Sequence, residues 1–352
     1  MTGSDNNAKP FPLTALVTIA ASVACLGFAF ACTAGWLSSH RLTPNRMLRA
    51  LDAPRGPALG HRRNHAKGIC FTGTFDSNGD GAELSKARVF ERGQYPVVGR
   101  FNIAGPDPHL PDPMAQMRGL GIRIVTPDGQ EWRSAMIDAP VFAAPTPQAF
   151  FAFLNAAAST DPTAFRQYST AHPEIITFID WVRNLPRTES WAETRFNSLD
   201  SFVFVSAEGS RYVVRWSLIP WLPPVTIPPT ELAKRDPDFL DEDITKRVAV
   251  SPQRWELVIV IANPGDPTAD PTRAWPTNRR TVNVGTLMAQ RIIPEADGPC
   301  RDINYDPTVL PSGITTSDDP FPAARSAAYR ASYDARIAES SSYPREQKGD
   351  PQ

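Results

Sequence analysis

Lysine is scarce in this chain, and neither sign of charge is in excess. Six of the 352 residues are lysine against thirty arginine, and 36 basic side chains meet 37 acidic ones for a net charge of -1. That balance gives no sign of a nucleic-acid partner. Arginine in place of lysine suits carboxylate binding, because the guanidinium keeps its charge and presents a fork of donors, although it is also a plain bias of composition. Cysteine is rarer still. Of four, Cys25 and Cys32 lie in an apolar N-terminal run, which leaves Cys70 and Cys300 in the body. Two lone cysteines so far apart make neither a zinc site nor a disulfide framework, though a single Cys70–Cys300 bridge stays open in an oxidising compartment. No internal repeat with a period of 20 to 50 residues is visible. Proline, by contrast, is abundant at 36 residues spread through connections, so the body should be rich in turns. Hydrophobic residues at 41% and charged residues at 21% are globular values, and the length suits one large domain or two ordinary ones.

Residues 1–12 read as a polar tail. Leu13 to Leu37 then runs without a charged residue, and as a helix at 1.5 Å per residue it would be roughly 37 Å long, enough to cross a bilayer. Trp36 at its end suits the interfacial belt. Ala29-Phe30-Ala31 resembles a signal-peptidase site, so the stretch is a transmembrane anchor or a signal segment. The length of the run and the single preceding Lys9 favour the uncleaved anchor. Arg41, Arg46 and Arg49 follow it, and the positive-inside rule would hold them in the cytoplasm. Residues 38–61, basic and proline-containing, read as a linker, and 341–352 as a disordered polar tail.

Period-two patterns and turn signals place strands at Gly68–Phe75, Tyr95–Ile103, Leu120–Val125, Trp132–Ile137, Phe202–Val205, Tyr212–Leu218 and Glu256–Ile261. Asp76 to Gly81 (DSNGDG) looks like the opening of a calcium loop, but Ala87 stands where the closing glutamate belongs, so it is a hairpin turn. Residues 146–185 look helical, with Phe150, Phe151, Phe153 and Leu154 on an apolar face. About eight strands in hairpin order with helices packed around them predict an α+β fold on an antiparallel β-barrel.

Near the C-terminus, Asp318 to Ile337 (DDPFPAARSAAYRASYDARI) reads as a helix opened by acidic residues and proline. Arg325, Tyr329 and Arg336 are spaced by four and seven, so they share one face, among alanines that let something flat come close to the backbone. A phenol with a guanidinium one turn before it is a plausible ligand for haem iron: a free tyrosine has a pKa of about 10, and ferric iron and an adjacent arginine both favour the phenolate. Taken alone, the pair could as well be an ordinary contact on an amphipathic helix. It becomes a site if a distal partner exists elsewhere.

Arg62-Arg63-Asn64-His65-Ala66-Lys67-Gly68 supplies that partner. RRNHAKG before a strand, VGRFN at Val98–Asn102 and R-x-x-x-Y at Arg325–Tyr329 together resemble the catalase superfamily, and within it the small catalase-related peroxidases. The resemblance runs from about Arg62 to Arg336, so residues 62–340 are expected to form a catalase-like haem-binding domain. It implies haem b with ferric iron, Tyr329 as its axial ligand and Arg325 behind it. His65 would be the distal catalytic histidine, and Arg62, Arg100 and Arg336 would face the propionates. Phe142 and Phe150 would stand beside the haem. Gly119, the DPT-R-A-WP stretch at Asp270–Pro276 and Gly313-Ile314 repeat family wording. The resemblance also points the domain to the periplasmic side, against the arginines that follow the apolar run, and both orientations stand.

One stretch departs from the family. The distal asparagine of N-N-T-P falls on Ile137 in Met136-Ile137-Asp138-Ala139-Pro140-Val141-Phe142, with Asp138 beside it. Asp138 and Asn102 are then the candidate partners for peroxide, and a second peroxide should be turned over poorly. The expected function is reduction of hydrogen peroxide or an organic hydroperoxide by an organic electron donor, with weak catalase activity at most. A haem enzyme rearranging lipid hydroperoxides, or a membrane-tethered barrel that binds without chemistry, are the alternatives.

Overall fold

The computed structural model describes residues 13–34, 41–52, 56–185 and 187–345. Two compact units divide after Thr43. The first holds helix α1 (Leu13–Thr33), whose mean hydropathy of 2.2 and 21 residues make it long and apolar enough to cross a membrane. Residues 35–40, and so the expected end of the apolar run at Leu37, lie outside the described residues, as do residues 1–12.

The second unit is an eight-stranded antiparallel barrel with helices around it. Strands β1 (Gly68–Ser77), β2 (Gly93–Ile103), β3 (Arg118–Val125) and β4 (Glu131–Ile137) form a meander, and β5 (Phe196–Asn197) pairs with the end of β4. β6 (Phe202–Val205) and β5 share one edge of β7 (Arg211–Pro220), whose other edge takes β8 (Gln253–Ile261). β9 (Thr281–Ile293) joins β8 to β1 and closes the ring, while β10 (Ile314–Thr316) adds to the edge of β6. Alternation drives this closure: every second residue of β8, from Gln253 to Ile261, points inward and is buried. The barrel is filled by aromatics, with Phe101 centred 4.9 Å from Phe71 and 5.6 Å from both Trp191 and Trp255. Gly99 of the VGRFN stretch has to be glycine, since a Cβ there would lie 2.0 Å from the Phe71 ring.

The helices are α2 (Pro44–Asp52), α3 (Pro147–Ala158), α4 (Ala164–Ala171), α5 (Ile175–Asn184), α6 (Pro229–Leu232), α7 (Phe239–Val250) and α8 (Phe321–Ala338). Two sequence readings are corrected here. The linker expected over 38–61 contains α2, because Met47, Leu48 and Ala50 bury one face of it. The tail expected to be disordered from 341 stays packed as far as 345: the Tyr343 ring stacks on His61 at 4.0 Å, and Arg301 donates to its carbonyl. Residues 346–352 lie outside the described residues.

Cys70 on β1 and Cys300 are joined in a fully buried disulfide. The bridge holds the turn after β9 against β1, and that turn supplies carbonyls to Arg62: Arg62 Nη2 donates to Cys300 O and to Ile303 O, both at 3.0 Å. Replacing both cysteines by alanine should lower the stability of the body by about 2–5 kcal/mol. Denaturant unfolding of the variant beside the parent, with and without reductant, would read that loss.

Candidate active site

A cavity of about 640 Å³ lies between the barrel, α2, α3, α5 and α8, within the size range of cofactor sites. Its wall brings together His65, Asn102, Arg62, Arg100, Phe142, Phe150, Arg325, Tyr329 and Arg336, which are spread over some 270 residues of sequence.

His65 stands in the loop before β1 with φ of 54°, the one non-glycine residue with positive φ among the described residues. Such a conformation is uncommon outside glycine and persists only where the surroundings impose it. Here the side chain of Asn64 imposes it, with Asn64 Oδ1 accepting from His65 N at 2.9 Å and from Gly105 N at 3.0 Å. Arg100 Nη1 holds the His65 carbonyl at 2.8 Å. Burial first, then the Arg100 guanidinium, push the imidazole pKa down to about 4, with Asn102 opposing them. His65 Nδ1 is buried and has no hydrogen-bond partner.

Tyr329 and Arg325 lie one turn apart on α8, and Arg325 Nη2 donates to Tyr329 Oη at 3.0 Å. Arg325 also donates to the Ala135 carbonyl and forms an ion pair with the buried Asp200 between β5 and β6. Burial works against the charge on Arg325, but Tyr329 and then Asp200 outweigh it and raise its pKa. Asp200 was not found by sequence reasoning. A single aspartate before the FVFV strand carries no pattern, and only the fold brings it to α8.

The three arginines expected to share one role differ in their partners. Arg100 donates to both oxygens of buried Glu295 at 2.7 Å, and Arg62 donates to Oε1 at 2.7 Å. Burial works to raise the Glu295 pKa, but Arg100 and Arg62 outweigh it and hold it below the usual range. Arg62 and Arg100 thus have most of their donors engaged inside the protein, which the sequence, with Glu295 alone after β9, did not reveal. Arg336 is the exception. It is buried, it lines the cavity, and its Nε and Nη1 have no partner.

Phe142 and Phe150 meet at a tilt with their centres 5.0 Å apart, Phe142 meets Phe321 of α8 edge-on at 5.1 Å, and all three rings line the cavity. Asn102 lines it too, but its Nδ2 donates to Arg100 O at 3.2 Å. Gly119 makes room for that amide, since a Cβ there would lie 2.3 Å from Asn102 Oδ1. Asp138 is the correction. It is not part of the cavity wall; its Oδ1 accepts from Arg118 N at 3.0 Å, and burial raises its pKa to about 7. The neighbouring Ile137, the last residue of β4, lines the cavity instead.

The donor set fits a flat dianionic group with a metal at its centre. An imidazole with its Nδ1 unpartnered, a phenol held by arginine, and an arginine with unpaired buried donors all meet an apolar, aromatic-walled slot. Ala324 and Ala328 on α8 leave the backbone approachable beside Tyr329.

The fold defined by this barrel is that of the catalases. A bacterial catalase structure matches with a TM-score of 0.71 at 20% identity, over 85% of this chain and 66% of that one. A fungal catalase matches with a TM-score of 0.70 at 19% identity, over 79% of this chain and 60% of that one. The chain therefore spans less than two thirds of those catalases. The family model for catalase matches residues 55–343, and the chain belongs to the catalase family. Among its relatives, the catalase-related peroxidase of Synechococcus elongatus is 31% identical over 91% of this chain and 95% of its own length. The catalase-related peroxidase of Mycolicibacterium paratuberculosis is 29% identical over 84% of this chain and 95% of its own.

Asp200→Ala should leave Arg325 charged and short of its buried partner, a change that costs about 3–5 kcal/mol where an ion pair is broken from one side. A lower thermal midpoint for this variant than for an Arg325→Ala/Asp200→Ala double variant would check it.

Proposed function

We propose that the chain is a haem peroxidase that reduces hydrogen peroxide or an organic hydroperoxide with electrons from an organic donor, and that it has weak catalase activity at most. The observation that carries this reading is the meeting of His65 and the Arg325–Tyr329 pair in one cavity. Kinship with two catalase-related peroxidases over nearly their whole length supports it. Tyr329 Oη would hold the iron of haem b, and Arg325, already donating to that oxygen, would favour the phenolate. Arg336 has the free donors for a propionate, and Arg62 and Arg100 surround it with positive charge. Bound haem supplies a ferric centre that can accept the oxidising equivalents of peroxide.

The proton chemistry belongs to His65. Its low pKa keeps the ring neutral at ordinary pH, so it can take a proton from peroxide and return it to the departing oxygen, as base and then acid. Asp138, turned to the Arg118 backbone, takes no part. Met47, Leu48 and Met114 in the wall, with Met114 66% exposed, give an apolar approach that suits organic peroxides and donors. A passive ligand-binding barrel would have no use for a histidine held at positive φ with an unpartnered ring nitrogen. The apolar helix α1 and the Cys70–Cys300 bridge support a body held outside the cytoplasm by an N-terminal anchor, since disulfides persist in oxidising compartments.

Protein from about Arg41 onward, produced with haem supplied, should show the absorption of a high-spin ferric haem ligated by tyrosinate, and Tyr329→Phe should change it. Absence of stoichiometric haem in the parent would sink the reading. Peroxidase turnover should hold steady from pH 8 down to about 5 and fall around pH 4, where His65 gains its proton. A fall centred near 6.5 would contradict the role given to His65, and His65→Gln should lose about 100-fold or more.

A further inference from the structure

Three asparagines stand in the cavity wall, Asn64, Asn102 and Asn197, and their hydrogen bonds set them apart. Asn197 is engaged at both ends of its amide: Nδ2 donates to Asp138 O and Ala139 O at 3.3 and 3.1 Å, while Oδ1 accepts from Ser217 Oγ and Arg195 Nε at 2.9 and 3.0 Å. Asn102 Nδ2 gives one of its two N–H groups to the Arg100 carbonyl. Asn64 differs. Two backbone N–H groups, of His65 and Gly105, converge on one end of its amide, and only oxygen can accept them. That fixes which end is which, a choice that is otherwise made by inference. The remaining end is the NH2, and among the described residues no acceptor takes it.

Asn64 is therefore the one of the three whose amide nitrogen has no acceptor among the described residues, and it immediately precedes the histidine. The position where the family resemblance would place such a donor is Ile137, which can donate nothing, and Asp138 faces the Arg118 backbone.

We propose that Asn64 is the hydrogen-bond donor that orients peroxide beside His65, so that the amide comes from the distal loop and not from the end of β4. The proposal rests on the peroxide reading of the cavity. Asn64 then has two tasks on one side chain: Oδ1 holds the His65 backbone at positive φ, and Nδ2 would donate to peroxide in the cavity that Asn64 lines. The histidine and the donor move together, because the same short loop carries both.

Fluoride is the probe, titrated by absorption against the ferric, haem-loaded protein, since a distal donor strengthens binding of a small anion whether or not turnover occurs. Asn64→Leu, neutral and close in shape, should raise the fluoride dissociation constant by about tenfold or more. Leucine also removes the anchor of the His65 backbone, so a second variant decides between the two tasks. Asn64→Leu combined with Ile137→Asn restores an amide from the opposite wall and leaves the anchor missing. Recovery of most of the fluoride affinity supports donation as the function of Asn64. Unchanged fluoride binding in Asn64→Leu, or a loss the double variant does not recover, overturns the proposal. A parent that takes up no haem overturns instead the reading of the cavity on which it rests.

Discussion

The buried pair of Arg100 and Glu295 is the interaction on which the site depends. Arg100 sends Nε and Nη2 to the two carboxylate oxygens and also holds the carbonyls of His65 and Ala66, at 2.8 and 2.9 Å. One guanidinium thereby joins β2, the segment after β9 and the loop that carries His65. Packing around it is tight: a Cβ at Gly68 would lie 2.7 Å from Arg100 Cζ. A buried ion pair is weak grounds for stability, because desolvation offsets much of the attraction. Its use here is positional. The planar fork accepts few arrangements of its partners, and each partner belongs to a segment that must meet the others for the cavity to form.

The polar side chains of the cavity wall are not all paired. Arg62, Arg100, Arg325 and Asp200 have hydrogen-bond or ion-pair partners in the protein, whereas His65 Nδ1 and two nitrogens of Arg336 have no hydrogen-bond partner. A buried polar group without a partner costs about 1–3 kcal/mol, and such costs are tolerated where a ligand will meet them. The positive φ of His65 adds backbone strain at the same place. Strain at His65 and unpaired polar atoms on His65 and Arg336 thus stand on residues that face the space.

Much of this was legible in the sequence, and the limits have physical causes. The barrel followed from alternation in β1 to β4, β7 and β8, and the wall residues His65, Arg325, Tyr329 and Arg336 from local wording and helical spacing. The 13-residue β9 escaped because its alternation is interrupted: Gly285 at φ 148° and register shifts against β8 and β1 put bulges where a period of two should continue. Helix α2 escaped because its basic and proline residues look like a tether, while its three buried side chains acquire meaning only against a neighbour. Asp200 and Glu295 are single acids without spacing. Nothing in one dimension says that each will face an arginine more than a hundred residues away. Side-chain direction at the end of β4 was the remaining miss, since an ungapped match could not say which of Ile137 and Asp138 points inward.

That last miss matters for how a site changes without losing its frame. Ile137 pairs with Gly119 on one side and Asn197 on the other, so the end of β4 is held in register by the two strands beside it. A donor there is aimed by the sheet and can be lost by a single substitution. The loop before β1 is held differently, by Arg100 on the His65 carbonyl and by Asn64 on the His65 amide. A side chain whose oxygen is needed to keep the loop in place cannot be exchanged freely, and its amide nitrogen accompanies that oxygen. With isoleucine at the end of β4, the proposed donor would sit on a side chain that the loop already requires, as the amide nitrogen of Asn64.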